Sequence, residues 1–208
     1  MNEMILQSVQ TARSSSKKRK FSQSFDLIIN LKMMDTKKPE NRVSEIISLP
    51  KGRGNNAKIV IFSDEIKNEE CEIYGSSDVE NFVNNMRKLK KLASGTDFFL
   101  ADPKMMVTIG KNLGRILAPR GKMPTPIAGE LEMMINEYKR SIRLNVKESP
   151  VIQCIVGVEN MKDEDVAENV EFVLNFLEKR LPKGRNNIGT IMIKMTMGKP
   201  AKLQAQTK

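Results

Sequence analysis

The segment Gly110-Lys111-Asn112-Leu113-Gly114-Arg115-Ile116-Leu117-Ala118-Pro119-Arg120-Gly121-Lys122-Met123-Pro124 holds four positive charges and no acid in fifteen residues. Cations and glycines at this density suit the holding of phosphate groups. A nucleotide-hydrolysing loop would need Gly-Lys-Ser or Gly-Lys-Thr after a four-residue spacer from Gly, and neither occurs. No Gly-x-Gly-x-x-Gly follows Phe62, where a dinucleotide fold would place it. The segment reads as a rigid basic loop at a domain surface, with Lys111, Arg115, Arg120, Gly121 and Lys122 as its candidate contacts.

Other groupings invite the same chemistry. Ile191, Ile193, Met195 and Met197 share one parity of a strand-like run, while Thr190, Met192, Lys194 and Thr196 share the other. Lys194, Thr196 and Gly198 then offer an ammonium, a hydroxyl and a close-approach glycine, which suit a phosphate or a ribose; Thr196 is also an ordinary strand former. Lys17-Lys18-Arg19-Lys20, after a serine run, is a phosphate contact or a solvated linker. Pro50-Lys51-Gly52-Arg53-Gly54-Asn55-Asn56 is echoed by Pro182-Lys183-Gly184-Arg185-Asn186-Asn187. Shared turn chemistry explains the echo, as would two basic loops (Lys51, Arg53, Lys183, Arg185, Asn186) flanking one RNA or a hinge. Arg87-Lys88 and Lys90-Lys91 read as a solvated helix face or an outlying RNA contact, and Glu164, Glu168 and Glu171 as helix surface.

Composition narrows the classes. Across 208 residues, 35 Lys and Arg oppose 25 Asp and Glu, a net charge of +10, with no His and no Trp. The lack of His removes Ser-His-Asp and Cys-His triads and every His-ligated metal site. Two cysteines, Cys71 and Cys154, cannot build a four-thiolate zinc centre and read as reduced thiols of a cytoplasmic protein. No metal, cofactor, small-molecule substrate or catalytic group is expected. The surplus of positive charge points to a polyanion, while two tyrosines and no tryptophan make poor stacking platforms for single-stranded bases. No run approaches a membrane span, and Met1 to Ala12 lacks the pattern of a secretory leader. With 39% hydrophobic residues the chain can build real cores; the methionine pairs are expected to fill them.

These groups need elements to carry them. Met4 to Arg13 reads as a short amphipathic helix. Phe25, Leu27, Ile29 and Leu31 alternate with Asp26, Ile28, Asn30 and Lys32 as a strand, with Phe21 on the apolar parity, and Val43 to Leu49 is a second strand. From Ala57 the pattern changes. Short apolar runs at Lys58 to Phe62, Glu72 to Tyr74 and Asp97 to Ala101 alternate with helices at Asp64 to Glu72, Ser77 to Ala93, Pro103 to Leu117 and Glu130 to Arg140. Ser77 and Glu80 have capping-box spacing, and Val79, Phe82, Val83, Met86, Leu89 and Ala93 fall near one helix face. The first pattern then returns: Ile142, Leu144 and Val146 alternate with Arg143, Asn145 and Lys147, Val151 to Val156 is the partner strand, Asp163 to Leu181 the longest helix, and Ile188 to Met197 a last strand before a basic tail. The expected fold is α/β in two parts: residues 1–55 with 140–208 as a discontinuous α+β two-layer domain, and 56–139 as an inserted Rossmann-like parallel α/β domain, joined at a hinge.

At these segments the chain resembles the universal ribosomal protein L1 family, archaeal type, over nearly its whole length. The resemblance rests on Arg19-Lys20-Phe21 before Asp26-Leu27-Ile28-Ile29-Asn30-Leu31-Lys32, on Leu49-Pro50-Lys51-Gly52-Arg53-Gly54, and on Leu113-Gly114-Arg115-Ile116-Leu117 with Pro119-Arg120-Gly121-Lys122-Met123-Pro124. It continues through Leu181-Pro182-Lys183-Gly184-Arg185-Asn186-Asn187 to Lys194 and Thr196-Met197-Gly198. Ala118, where the family usually has Gly, and Lys199, between Gly198 and Pro200, depart from the pattern. The resemblance implies the two-domain L1 fold and a cytoplasmic, ribosome-associated protein bound to the stalk junction of large-subunit rRNA, chiefly through the first domain. It implies a contact cluster of Phe21, Thr196, Met197 and Gly198 with basic and polar neighbours; Lys20, Lys194 and nearby Arg143 are the side chains expected to supply the phosphate contacts. It also implies a part in releasing exit-site tRNA and in repressing the protein's own mRNA. A free-standing RNA-binding regulator of translation is the alternative.

Overall fold

The computed structural model describes residues 2–34, 43–66, 71–146 and 149–203. The chain divides into two compact units, Met1–Asn55 with Arg140–Lys208, and Asn56–Lys139.

In the first unit, β1 (Ser24–Leu31) buries every second residue, as its apolar alternation requires. It pairs antiparallel with β8 (Val151–Val158) and with β9 (Ile188–Met195), and β10 (Ala201–Leu203) extends the sheet to the order β10-β9-β1-β8. Helices α1 (Asn2–Ser14) and α6 (Asp163–Arg180) pack on each other, α1 also meeting β9 and β10, and α6 meeting β8. Ile5, Val9 and Ala12 of α1 and Val166, Val170, Val173 and Leu177 of α6 join Phe25, Leu27 and Ile29 in one core. Asp163, Glu164 and Asp165 open α6, and Lys179 and Arg180 close it, so both ends suit the helix dipole. A separate two-stranded sheet pairs β2 (Ser44–Ser48) with β7 (Ser141–Asn145).

The second unit is a parallel sheet, β4-β3-β5-β6, built from β3 (Ile59–Phe62), β4 (Glu72–Tyr74), β5 (Phe98–Ala101) and the two-residue β6 (Thr125–Pro126). Both faces are covered, which is why β3 and β5 are apolar at every position. Helices α2 (Ser76–Asn84), α3 (Met86–Gly95) and α4 (Pro103–Leu117) bury Val79, Leu89, Ala93 and Ile109 against one face. Helix α5 (Leu131–Arg140) buries Ile135 against the other, with Leu131, Met134 and Tyr138 packed beside it. The α/β class with a parallel sheet and an antiparallel one is as the alternation of elements predicts. Among the described residues no helix is long and apolar enough to cross a membrane.

Several local expectations need correction. The helix expected over Ser77 to Ala93 is two helices, broken at Asn85, whose carboxamide oxygen accepts from the Lys88 N–H at 3.3 Å and starts α3. Val83 and Met86, expected inward, flank this break and are exposed. The cap of α2 lies upstream of Ser77–Glu80: the Asp78 carboxylate accepts from the Gly75 N–H, and Asp64 accepts from both the N–H and the hydroxyl of Ser76. Those bonds hold the Asp64 carboxyl below its ordinary value. Asp64 is therefore part of a turn and Glu72 part of β4, so the helix expected between them does not form at either end; residues 67–70 lie outside the described residues. Val151 to Val156 does not ladder with β7: β8 pairs with β1 and β7 with β2, in different sheets; Lys147 lies outside the described residues. The last strand ends at Met195, Met197 leaves its parity to stand exposed, and the chain hairpins back as β10. Phe21 lies ahead of β1 and is exposed. Gln204 and the rest of the expected basic tail lie outside the described residues.

Candidate nucleic-acid interface

The turn after β9 extends the β1–β9 pairing by one step. The Thr196 N–H donates to the Ser24 carbonyl at 3.0 Å, and the Ser24 N–H donates to the Thr196 hydroxyl oxygen at 3.0 Å. The two hydroxyls lie 2.8 Å apart. The chain then folds back, with the Gly198 N–H donating to the Met195 carbonyl at 2.8 Å. Lys194 reaches along the strand and donates to the Thr196 carbonyl at 3.2 Å. The Thr196 hydroxyl is thus a fastening of the turn, and Met197, 60% exposed, is what the turn displays.

Gln23, which carries no charge or periodic signal in the sequence, organises the neighbourhood. It is only 1% exposed. Its amide nitrogen donates to the Lys17 carbonyl at 3.1 Å, and its amide oxygen accepts from the Ser16 hydroxyl at 3.2 Å and the Met197 N–H at 3.4 Å. One buried amide therefore ties the start of the basic run to the Thr196–Gly198 turn. Lys20 and Phe21 lie on the short loop between Lys17 and Gln23, both exposed. Arg13 is spent nearby: its guanidinium donates to the Glu159 and Met161 carbonyls and to Asp163, and lies 5.1 Å from the Phe25 ring centroid. It locks α1 to the start of α6.

Asp26 stands opposite Lys194 on the paired strand. Burial raises its carboxyl above the ordinary 3.8, against the lowering effects of the Ser24 hydroxyl and the Lys194 ammonium. Burial, with the Asp26 charge, also pushes the Cys154 thiol up to about 12, so this cysteine stays protonated. A carboxyl that protonates more readily folded than unfolded opposes folding while it is ionised. Asp26→Asn is therefore expected to raise the melting temperature at pH 7. The gain should shrink as the pH falls through the raised folded value and be gone below 3.8, which melts across that range would read.

The remaining candidates lie elsewhere. Arg143 is opposite Ile46 in the separate β2–β7 sheet, not in the turn cluster. Lys51 pairs with Glu168 at 3.4 Å, in the first half of α6, while Arg185 and Asn186 belong to the 3-10 turn Gly184–Asn187 beyond its end, which Lys183 precedes. At 1.5 Å per residue the two echoing loops are roughly 20 Å apart along that helix. A buried asparagine fastens each. Asn169 accepts from the Lys51 N–H at 3.1 Å and donates to the Gly52 and Val156 carbonyls, both at 2.8 Å. Asn187 accepts from the Lys183 N–H at 2.7 Å and donates to the Lys32 carbonyl at 2.9 Å. In the second unit Lys111 and Arg115 are exposed on α4, and Arg120 is exposed beyond it. Gly121 turns the chain with φ at +67°, and the Lys122 ammonium donates to the Ala93 and Thr96 carbonyls at the end of α3. Lys122 is a helix cap, which its place in a basic run conceals. Among the described residues no group of three or more Cys, Asp or Glu could hold a metal ion.

Comparison with known proteins shows the family to which the chain is similar. The profile of the Ribosomal protein L1p/L10e family matches residues 12–199. A "Large ribosomal subunit protein uL1" of Methanobrevibacter smithii is 39% identical over 206 residues, 95% of this chain and 97% of the relative. Its namesake from Methanothermobacter thermautotrophicus is 38% identical with the same coverage. That from Methanocaldococcus jannaschii is 37% identical over 98% of this chain and 96% of its own.

Proposed function

The chain belongs to the Ribosomal protein L1p/L10e family, and from that premise we propose that it is a structural constituent of the large ribosomal subunit that grips the stalk junction of its rRNA. The observation that carries this reading is the Gln23 amide, which joins the basic loop to the Thr196–Gly198 turn before any RNA arrives. A surface made in advance loses little freedom on binding. Lys20 and Lys194 supply phosphate contacts, Phe21 and Met197 pack against riboses, and the backbone around Gly198 meets 2′-hydroxyls, so that RNA shape carries recognition. Arg143, on its own sheet, stands apart from this core. From the same premise come a cytoplasmic, ribosome-bound location, a part in releasing exit-site tRNA, and repression of the protein's own mRNA through a similar RNA element. No catalytic group enters this reading.

The test is binding to the isolated stalk segment of large-subunit rRNA at moderate salt, with a scrambled RNA of equal length as competitor. Wild type should discriminate strongly. A Cβ at Gly198 would lie 3.3 Å from the Met195 Cβ and 3.4 Å from that of Ser16, so Gly198→Val forces the turn away from the basic loop. It should weaken specific binding roughly tenfold or more, about 1.4 kcal/mol. Lys194→Ala should lower the salt slope by about one unit. Equal wild-type binding to both RNAs would mean that net charge alone explains the affinity. A free-standing regulator would bind the mRNA element yet fail to cofractionate with large subunits.

A further inference from the structure

We propose that α3 and the groove beside it form a second contact for an RNA backbone, within the Asn56–Lys139 unit and separate from the Thr196 turn. Helix α3 carries Arg87, Lys88, Lys90 and Lys91 and no acid. Arg87 and Lys88 occupy its first turn, where the helix dipole is positive and a cation is unfavourable. Arg87 and Lys91 lie four apart, and Lys88 and Lys91 three apart, so like charges crowd one face. None of the four has an ion pair among the described residues. Local choices that conflict with the stability of their own element mark a functional surface, and an anion relieves this conflict.

The geometry supplies a place for one. Lys88 and Lys91 line an open groove of about 1260 Å³ between α2, α3 and the starts of β3 and β4. Lys58 and Lys139 line it too, and Asn81 and Asn84 add amides that can pair with ribose hydroxyls. Of the carboxylates lining it among the described residues, Glu72 accepts from the Tyr74 hydroxyl at 3.1 Å and Asp78 from the Gly75 N–H at 3.2 Å. The helix presenting the cations is held at both ends, by the Asn85 cap and by Lys122 on its last carbonyls. An open trough in which ammonium groups and neutral amides stand beside Ile59, Val60, Phe82 and Leu92 offers phosphates their counter-charge and riboses and bases an apolar side, as a nucleic-acid strand requires.

The partner class rests on the RNA reading above, but the site does not share its residues. The test uses the full chain and the variant Lys88→Glu/Lys91→Glu, with the stalk RNA and its scrambled counterpart as probes and polyglutamate as competitor. A glutamate at 88, in the first turn, suits the dipole, and one at 91 lies four residues after Arg87 and pairs with it, so the variant should melt no lower than wild type. Its salt slope should fall by about two units on both RNAs, with discrimination between them unchanged. An unchanged slope would overturn the proposal, as would displacement of RNA from wild type, but not from the variant, by polyglutamate. Loss of discrimination in the wild type would sink the stalk assignment instead, while the slope difference would still report on the groove.

Discussion

Asn169→Leu is expected to lower the thermal midpoint by roughly 10 °C, the equivalent of about 3 kcal/mol for a chain of this size. Asn169 is fully buried in the middle of α6 and makes three hydrogen bonds to backbone. Leucine fills similar space but leaves the Lys51 N–H and two carbonyls without their partner, and unpaired buried polar groups cost about 1–3 kcal/mol each. Water reaching the loop would offset part of that sum. The effect should reach the Lys51–Gly54 loop first, so limited proteolysis there should accelerate before the global melt moves. A fall of less than about 3 °C would show that the amide is dispensable and that packing alone fastens the loop.

Gly54→Ala should cost about as much, and Gly52→Ala, two residues away, far less. Both glycines have positive φ, +85° and +68°, so both substitutions carry about 1 kcal/mol or more of backbone strain. The difference is steric. A Cβ on Gly54 would overlap a Val158 methyl and sit 3.0 Å from the Met161 sulfur, whereas one on Gly52 meets nothing closer than the Arg140 Cγ at 3.7 Å. Overpacking adds roughly 1–3 kcal/mol to the first alone. Urea midpoints at constant m-value would separate the two, and equal shifts would refute the steric part of the argument.

The sequence revealed most where burial repeats. The alternation through β1 and β9, the stripe of α6 and the apolar runs of β3 and β5 each follow from a face turned to a core, and each emerges in place. Pairing was less visible. Whether β7 joins β2 or β8 depends on a partner across an entire inserted unit, and no local pattern records it. Single polar residues were hidden as well. Gln23 and Asn169 carry no signal in a linear scan, and Asn187 stands there only as part of a basic turn, because burial of an amide leaves no periodic trace; only the backbone groups around them reveal their purpose. Lys122 shows the opposite failure, since a cation among cations looks like an RNA contact until the carbonyls at the end of α3 are seen beneath it. The outward groups of the candidate interface, Lys20, Phe21 and Met197, were identifiable. The clasp that holds their two loops together was not.

The register of β2 on β7 also bears on how the chain reaches its native state. Ser48 faces Ser141, so pairing these strands must close a loop that contains the whole Asn56–Lys139 unit. In the second unit the Ala57 N–H donates to the Lys139 carbonyl at 3.1 Å, bringing that unit's two ends together. If the inserted unit folds first, the span left to close shrinks from about ninety residues to about a dozen, which removes on the order of 2 kcal/mol of loop-closure entropy. The insertion then works as a cross-link made of folded protein. Lesions confined to the parallel sheet should slow collapse of the discontinuous unit without touching any residue in it.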